Sequence, residues 1–289
     1  MSSQAQIQAF FDEPTNTVSY LVSDPRTGQA AAIDPVLDYD HSSGEISTVS
    51  ADAMLDAAQA AGLTIVWVLE THAHADHLSA ARHIRRRTGA KIGIGQHICD
   101  VQMIFRDIFN LSDQDVSGKG AEFDRLFQDG DVLSIGEMDV SVLHTPGHTP
   151  ACVSYRMGDA VFVGDTLFMP DYGTARADFP GGDARVLYRS IQRILALPLQ
   201  TRLFLCHDYK APGRDRYAWE STVAEQREHN VHVHEGITED EFVAMRTERD
   251  ATLTAPTLLL PSIQVNIRAG ELPSQESNGT RYLKIPLKV

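Results

Sequence analysis

Three imidazoles and one carboxylate fall within six consecutive positions of Thr71-His72-Ala73-His74-Ala75-Asp76-His77. In an extended segment, residues two apart point the same way, so His72 and His74 can converge on one point. Asp76 and His77 lie where the chain turns toward a helix and can face a neighbouring point. Imidazole and carboxylate are the usual ligands of zinc and non-haem iron. A lone histidine here would read as a polar loop residue. This cluster follows a buried apolar run directly, and sheets of α/β proteins bind their ligands at such strand ends. It reads as a metal site.

Three further segments end in the same chemistry. In His144-Thr145-Pro146-Gly147-His148-Thr149, proline and glycine impose a tight turn that presents His148 at its tip. His144 instead continues the preceding strand and reads as structural. Val161-Phe162-Val163-Gly164-Asp165-Thr166 is an apolar run ending in a carboxylate. Such a group is costly to bury unless a cation or a helix N-terminus meets it. Leu203-Phe204-Leu205-Cys206-His207-Asp208-Tyr209 is another apolar run, ending in His207.

The elements that must position these groups follow from hydrophobic pattern. Residues 17–23 and 29–33 read as strands around a turn at 24–28, and 41–50 as a polar loop. Residues 51–61 have helical composition closed by Gly62, and 64–69 form a continuous apolar run suited to a strand covered on both faces. Residues 78–88 read as a basic-faced helix and 91–94 as a short strand. In the second half, 140–143, 152–157, 160–163 and 203–206 read as strands and 183–197 as a helix. Residues 219–227 read as helical, a further helix begins near Thr238, and a proline-punctuated stretch at 256–261 precedes an irregular end. Two β-rich halves, each ending in helices, predict two sheets packed face to face with helices outside. Residues 1–216 are the expected catalytic domain, and 217–289, too short for its own core, an extension packed on it.

Composition narrows the function classes. The formal net charge of −14 argues against nucleic acid as a partner, since phosphate recognition rests on clustered Lys and Arg. No apolar run approaches the roughly 20 residues of a membrane span, and the first residues have neither the basic nor the apolar segment of a secretory signal. Cys99, Cys152 and Cys206 lack a CxxC spacing and read as reduced thiols, Cys206 as a buried structural one, in a cytoplasmic protein. Arg85-Arg86-Arg87 reads as a solvated helix face. His229, His232 and His234 lie far from the strand ends in sequence, and His41, His83 and His97 read as structural or exposed.

Taken in order, THAHADH, TPGHT, GDT and the strand-end His207 resemble the metallo-β-lactamase superfamily across roughly residues 10 to 215. The resemblance implies an αββα sandwich of two mixed β-sheets flanked by helices, with a metal cleft at one edge. It also implies that His72, His74 and His148 match a first metal position, Asp165 a bridging position, and Asp76, His77 and His207 a second. Within the superfamily, Gly173-Thr174-Ala175-Arg176-Ala177-Asp178-Phe179, His207-Asp208-Tyr209 and the tail segments 264–273 and 282–287 look like the persulfide dioxygenase branch, the relatives of the ethylmalonic encephalopathy protein. That branch has a shorter Gly-Arg-Thr-Asp-Phe loop, whereas here Arg176 and Asp178 follow a longer lead containing Tyr172.

The branch implies one Fe(II) per chain on His72, His148 and Asp165, with glutathione persulfide and O2 as substrates and sulfite and glutathione as products. His74, Asp76, His77 and His207 are then hydrogen-bonding partners around the iron or ligands of a second metal. Arg176, Tyr209, Lys210, Arg214 and Tyr172 lie just beyond these strand ends and are the candidates for holding glutathione. Family members are often dimers, so a homodimer is one expectation. The alternative enzyme is a glyoxalase II-like thioester hydrolase with Zn(II) or a mixed binuclear site; the alternative outside catalysis is a metal-stabilised binding module.

Overall fold

The computed structural model describes residues 4–287. Its first sheet begins with the antiparallel strands β1 (Gln6–Asp12), β2 (Thr17–Ser23) and β3 (Gln29–Ile33). A small second layer follows: β4 (Val36–Asp40) and β5 (Glu45–Ser47), then helix α1 (Val49–Ala60). The chain returns through β6 (Thr64–Leu69), β7 (Leu78–Ser79), α2 (Ala81–Thr88), β8 (Lys91–Gly95), α3 (Ile98–Phe109) and β9 (Arg125–Phe127). Strands β3, β6, β8 and β9 are parallel neighbours, which gives the sheet order β1-β2-β3-β6-β8-β9. The short strands pair as β5-β4-β7 beside it.

The second sheet runs β10 (Val132–Ile135), β11 (Met138–His144), β12 (Val153–Met157), β13 (Ala160–Phe162), β14 (Arg202–Phe204) and β15 (Glu220–Thr222). All its pairs are antiparallel except β13 with β14, which are joined by the crossover helix α4 (Ala184–Leu195). Helices α5 (Val223–His229), α6 (Glu239–Asp250) and α7 (Leu259–Asn266) complete the chain. Among the described residues no helix is long and apolar enough to cross a membrane.

Strand alternation explains the layering. In β2, Val18, Tyr20 and Val22 join Val140, Val142, Tyr155 and Phe162 in the core between the sheets. Leu21, on the opposite face, joins Met54 of α1, Ile84 of α2 and Phe105 of α3. A third core lies outside the second sheet, where Val161 and Leu203 meet Leu187, Ile191, Val223 and Phe242 of α4, α5 and α6. The result is the four-layer αββα sandwich of two mixed sheets that the motifs implied.

Several elements differ from their sequence pattern because tertiary pairing outweighs local preference. Leu78 and Ser79 pair with Leu37 and Val36, so α2 starts only at Ala81. Residues 220–222 form the edge strand beside β14, and the helix begins after Thr222, whose side chain forms a capping box with Glu225. The proline-punctuated stretch at 256–261 runs into a helix: Pro261 sits in the first turn of α7, where its missing N–H costs nothing. The loop expected at 41–50 contains β5 and the start of α1, and helix α3 had no counterpart in the sequence pattern. The arginines of α2 are neutralised locally, Arg85 by Asp124, Arg86 by Glu271 and Arg87 by Asp52, so they form no basic patch.

The C-terminal residues are welded to the sandwich by polar groups as well as apolar ones. Arg246, fully buried in α6, pairs with Asp250 at 2.6 Å and donates to the carbonyl of Thr174 at 3.2 Å. Asp250 in turn accepts the backbone N–H of Ala177 at 2.8 Å. Truncating one member of a buried ion pair strands the other charge in a medium that solvates it poorly. Asp250→Ala should therefore lower unfolding free energy by about 3–5 kcal/mol. Arg246→Met combined with Asp250→Ala should recover much of that loss in urea titrations, and an additive double variant would remove the pair from this role.

Candidate metal centre

The histidines and carboxylates singled out in the sequence come together at one edge of the two sheets. His72 to His77 lie in the loop after β6, His148 in the turn between β11 and β12, Asp165 in a 3-10 turn after β13, and His207 just beyond β14. Glycine places two of them. Gly147 has φ +131°, and a Cβ there would lie 2.3 Å from the backbone of Leu187, so only glycine lets this turn seat against α4. Gly164 has φ +52° and is packed against the Thr71 side chain, which delivers Asp165 beside the His-rich loop.

One imidazole nitrogen of each of five histidines is spoken for by the protein. Thr71 Oγ1 donates to Asp34 Oδ2 at 2.9 Å and is left to accept from His72 Nδ1 at 3.0 Å. His148 Nδ1 donates to the carbonyl of Arg176 at 2.8 Å, His74 Nε2 to Asp34 Oδ1 at 2.9 Å, and His77 Nδ1 to Asp76 Oδ2 at 3.1 Å. His207 Nδ1 donates to the carbonyl of Asn16 at 3.2 Å. These bonds fix the ring orientations and turn the opposite nitrogens toward one another, as partners of metal-bound histidines do. His72 Nε2, His74 Nδ1, His77 Nε2, His207 Nε2 and Asp165 Oδ1 are buried and have no hydrogen-bond partner. Buried polar atoms are rarely left so. Bound cations would satisfy such atoms, and the donor set suits zinc or iron.

His72, His148 and Asp165 bring ligand atoms within 4.8 Å of one another. Asp165 Oδ2 is 3.8 Å from His72 Nε2 and 3.6 Å from His148 Nε2, spans that ligands at roughly 2.0–2.2 Å from one ion can bridge. The other groups at this spacing all share His74: with Asp76 and His77, with Cys206 and His207, and with Asp34 and Glu70. His207 Nε2 lies 3.3 Å from both Asp76 Oδ2 and Asp165 Oδ1. Burial, then the charges of His74 and His148, push the His72 imidazole well below its usual range, so it is a neutral donor at pH 7. Burial opposes the ionised form of Asp76, but His207 and His77 outweigh it and hold the carboxyl well below the usual carboxylate range.

The metallo-beta-lactamase superfamily model matches residues 12–207. The chain belongs to the metallo-β-lactamase superfamily. A probable metallo-hydrolase of Burkholderia pseudomallei is 54% identical, over 97% of this chain and 98% of its own. Glyoxylase B2 of Dictyostelium discoideum is 48% identical, over 99% and 98%. Human mitochondrial persulfide dioxygenase ETHE1 is 28% identical, over 91% and 88%. Among solved structures, that of ETHE1 from Myxococcus xanthus is similar with TM-score 0.73 and 31% identity, covering 92% of this chain and 100% of that one.

This metallo-β-lactamase-fold centre opens into a cleft of about 810 Å³. Asp76, His148 and Asp165 line it together with the mutually packed rings of Phe168, Tyr172 and Tyr209 and with residues 253–258. Arg176 also lines it, but its guanidinium is held by Asp178 at 2.5 and 2.7 Å and by the carbonyl of Thr254 at 2.7 Å. Two expected substrate contacts are engaged elsewhere and do not line the cleft. Lys210 Nζ sits 3.9 Å over the Tyr217 ring, and Arg214 is forked onto Asp208 and Asp171. Cys206 is buried, as expected, against Asp34. His144 bonds the carbonyl of Pro150, and of the C-terminal histidines His232 turns inward, accepting the Thr174 N–H at 3.0 Å.

Sequence reading missed three contributors. Asp34, directly after β3, is a strand-end carboxylate like Asp165, and that signal could have found it. Asn266 bridges 2.8 Å bonds to the carbonyls of His74 and His77 while its Oδ1 accepts the Ser79 N–H, also at 2.8 Å. The α6 wall, with Arg246 and Arg249, lies some 70 residues beyond the Thr174–Arg176 loop that it faces; neither it nor Asn266 has a local signature.

Asn266→Ala leaves three buried backbone groups of the His-rich loop unpaired, at about 1–3 kcal/mol for each such group. It should lower both the unfolding midpoint and the metal bound per chain by elemental analysis; wild-type values for both would remove the clamp. A second expectation concerns pH. Burial, then Arg246 and Arg249, depress His232 from 6.5 to about 4. The unfolded chain takes up a proton between those values that the folded chain refuses. This contribution is complete above about pH 6.5 and is lost as pH falls toward 4. His232→Asn keeps an acceptor for Thr174 but cannot titrate, so wild type should lose stability relative to the variant across that window. Parallel pH profiles would show the ring uncoupled from folding.

Proposed function

We propose that this protein is a persulfide dioxygenase that uses one Fe(II), held by His72, His148 and Asp165, to oxidise glutathione persulfide to sulfite and glutathione. The observation that carries this reading is the composition of that trio. It is two imidazoles and one carboxylate meeting within 4.8 Å, the ligand set of non-haem iron oxygenases. No such group among the described residues unites Asp76, His77 and His207, and the rings of His77 and His207 are 6.4 Å apart. The resemblance of the loop at 173–179 and of the tail to the dioxygenase branch supports it, as does the full-length likeness to ETHE1 proteins.

Held by His72, His148 and Asp165, a ferrous ion would supply the oxidation chemistry. The balance is one persulfide, one O2 and one water giving one thiol, one sulfite and two protons. The sulfur–sulfur bond breaks, the terminal sulfur is oxidised, and O2 is reduced. The chain's own residues do the rest. Arg176 and Thr71 orient His148 and His72 through their ring N–H groups. Phe168, Tyr172 and Tyr209 supply an aromatic wall that excludes water from the sulfur. Asp76, His77 and His207 form a polar rim that fixes the position of Asp165.

A second reading rests on a specific observation: His77 and His207 also present bare Nε2 atoms, and the 54% and 48% identical relatives are described as a metallo-hydrolase and a glyoxylase. It is a binuclear thioester hydrolase acting on a glutathione ester.

The two part on metal count. Anaerobically purified protein should carry about one iron per chain and consume O2 when glutathione persulfide is added. Asp165→Ala should lose both, whereas His77→Ala should keep the iron and lose no more than the roughly 10- to 100-fold typical of a group that only orients a ligand. Two metals per chain, no O2 uptake and turnover of a glutathione thioester would instead establish the hydrolase.

A further inference from the structure

The cleft above the metal centre has two arms that differ in their charged residues. Its main arm runs from Asp165 to the last turn of α6 and carries three arginines, Arg176, Arg246 and Arg249. Two are neutralised in place, Arg176 by Asp178 and Arg246 by Asp250. Arg249 is exposed and has no ion-pair partner among the described residues, although it follows the buried Arg246 by about one helical turn. A neighbouring cavity of about 450 Å³ shares Pro14, Thr15, Tyr39, His41 and Leu258 with the main arm. Its lining includes Asp12, Asp38, Asp40 and Glu45 but no lysine or arginine. Those four carboxylates have no ion pair among the described residues, their neighbours being hydroxyls and backbone N–H groups where bonded at all.

We propose that Arg249 is the anchor for the carboxylate end of the thiol carrier, so that the carrier lies along α6 with its sulfur at the metal and is turned away from the acidic arm. The inference rests on the reading of the substrate as a glutathione derivative, and holds whether that derivative is a persulfide or a thioester. A protein of net charge −14 repels an anionic thiol at long range, so a local uncompensated guanidinium is needed to hold it. The planar fork of arginine matches a carboxylate through two parallel hydrogen bonds, which lysine cannot reproduce. Arg249 is a positioning residue; it does not reach the reacting sulfur's ligands through any described contact.

The test combines binding with kinetics on the metal-loaded, full-length protein. Glutathione and S-methylglutathione are titrated calorimetrically, and O2 uptake is followed with glutathione persulfide and with a small alkyl persulfide that has no carboxylate. Arg249→Ala should weaken glutathione binding and raise KM for glutathione persulfide by about 10- to 100-fold, with kcat kept. Arg249→Glu should be worse and Arg249→Lys intermediate, and the alkyl persulfide should not distinguish the variants. Unchanged glutathione affinity in Arg249→Ala, a fall in kcat alone, an equal loss with both persulfides, or no glutathione binding by wild type would each overturn the anchor. Arginine-dependent glutathione binding without any O2 uptake would uphold the anchor while overturning the dioxygenase.

Discussion

The structure is organised around one electrostatic constraint: five imidazoles and two carboxylates are buried in neighbouring clusters at one edge of the two sheets. Each histidine gives one N–H to a protein acceptor, which turns its other nitrogen toward the cluster. Such an arrangement is unfavourable in a low-dielectric interior until a cation occupies the centre. The two sheets are the means of building it. Four turns, after β6, β11, β13 and β14, open at the same edge of the sandwich, and each delivers one or more of the converging groups.

The second tier of contacts makes those turns rigid. Asp34 is the hub on the N-terminal side, accepting from the Thr71 N–H, the Thr71 hydroxyl and His74 at once. On the other side the C-terminal residues act at a distance. Arg246 and Asp250 of α6 hold the loop from Thr174 to Ala177, and the carbonyl of Arg176 in that loop orients His148. Asn266 of α7 holds the carbonyls behind His74 and His77. Residues of α6 and α7 thus brace the loops that carry His148, His74 and His77, and α6 also lines the cleft.

Much of this is legible in the residues alone. The four strand-end segments announce themselves because a histidine or carboxylate directly after a buried apolar run is costly to desolvate, and a bound cation offsets that cost. Their order along the chain carries the family. The failures have physical causes. Residues 78–79 and 220–222 have compositions compatible with helix, and only the unpaired edges of β4 and β14 make them strands. Lys210 and Arg214 stand at the right distance from His207 in sequence, yet a facing aromatic ring and a buried aspartate claim them.

By itself the sequence determined the chemistry available to this protein: which residues could hold a metal, at which strand ends, in an αββα frame. Residue type and short-range spacing are enough for that, because the alternation of a strand and the geometry of a Pro-Gly turn are local properties. Only the tertiary structure decided which of the converging groups meet closely as a trio, which arginines are spent on neighbouring carboxylates, and which face of the cleft is cationic. Those outcomes depend on partners tens to hundreds of residues away, such as Asp34 for His74 and Asn266 for the loop behind it. No local pattern encodes a hydrogen bond across that distance.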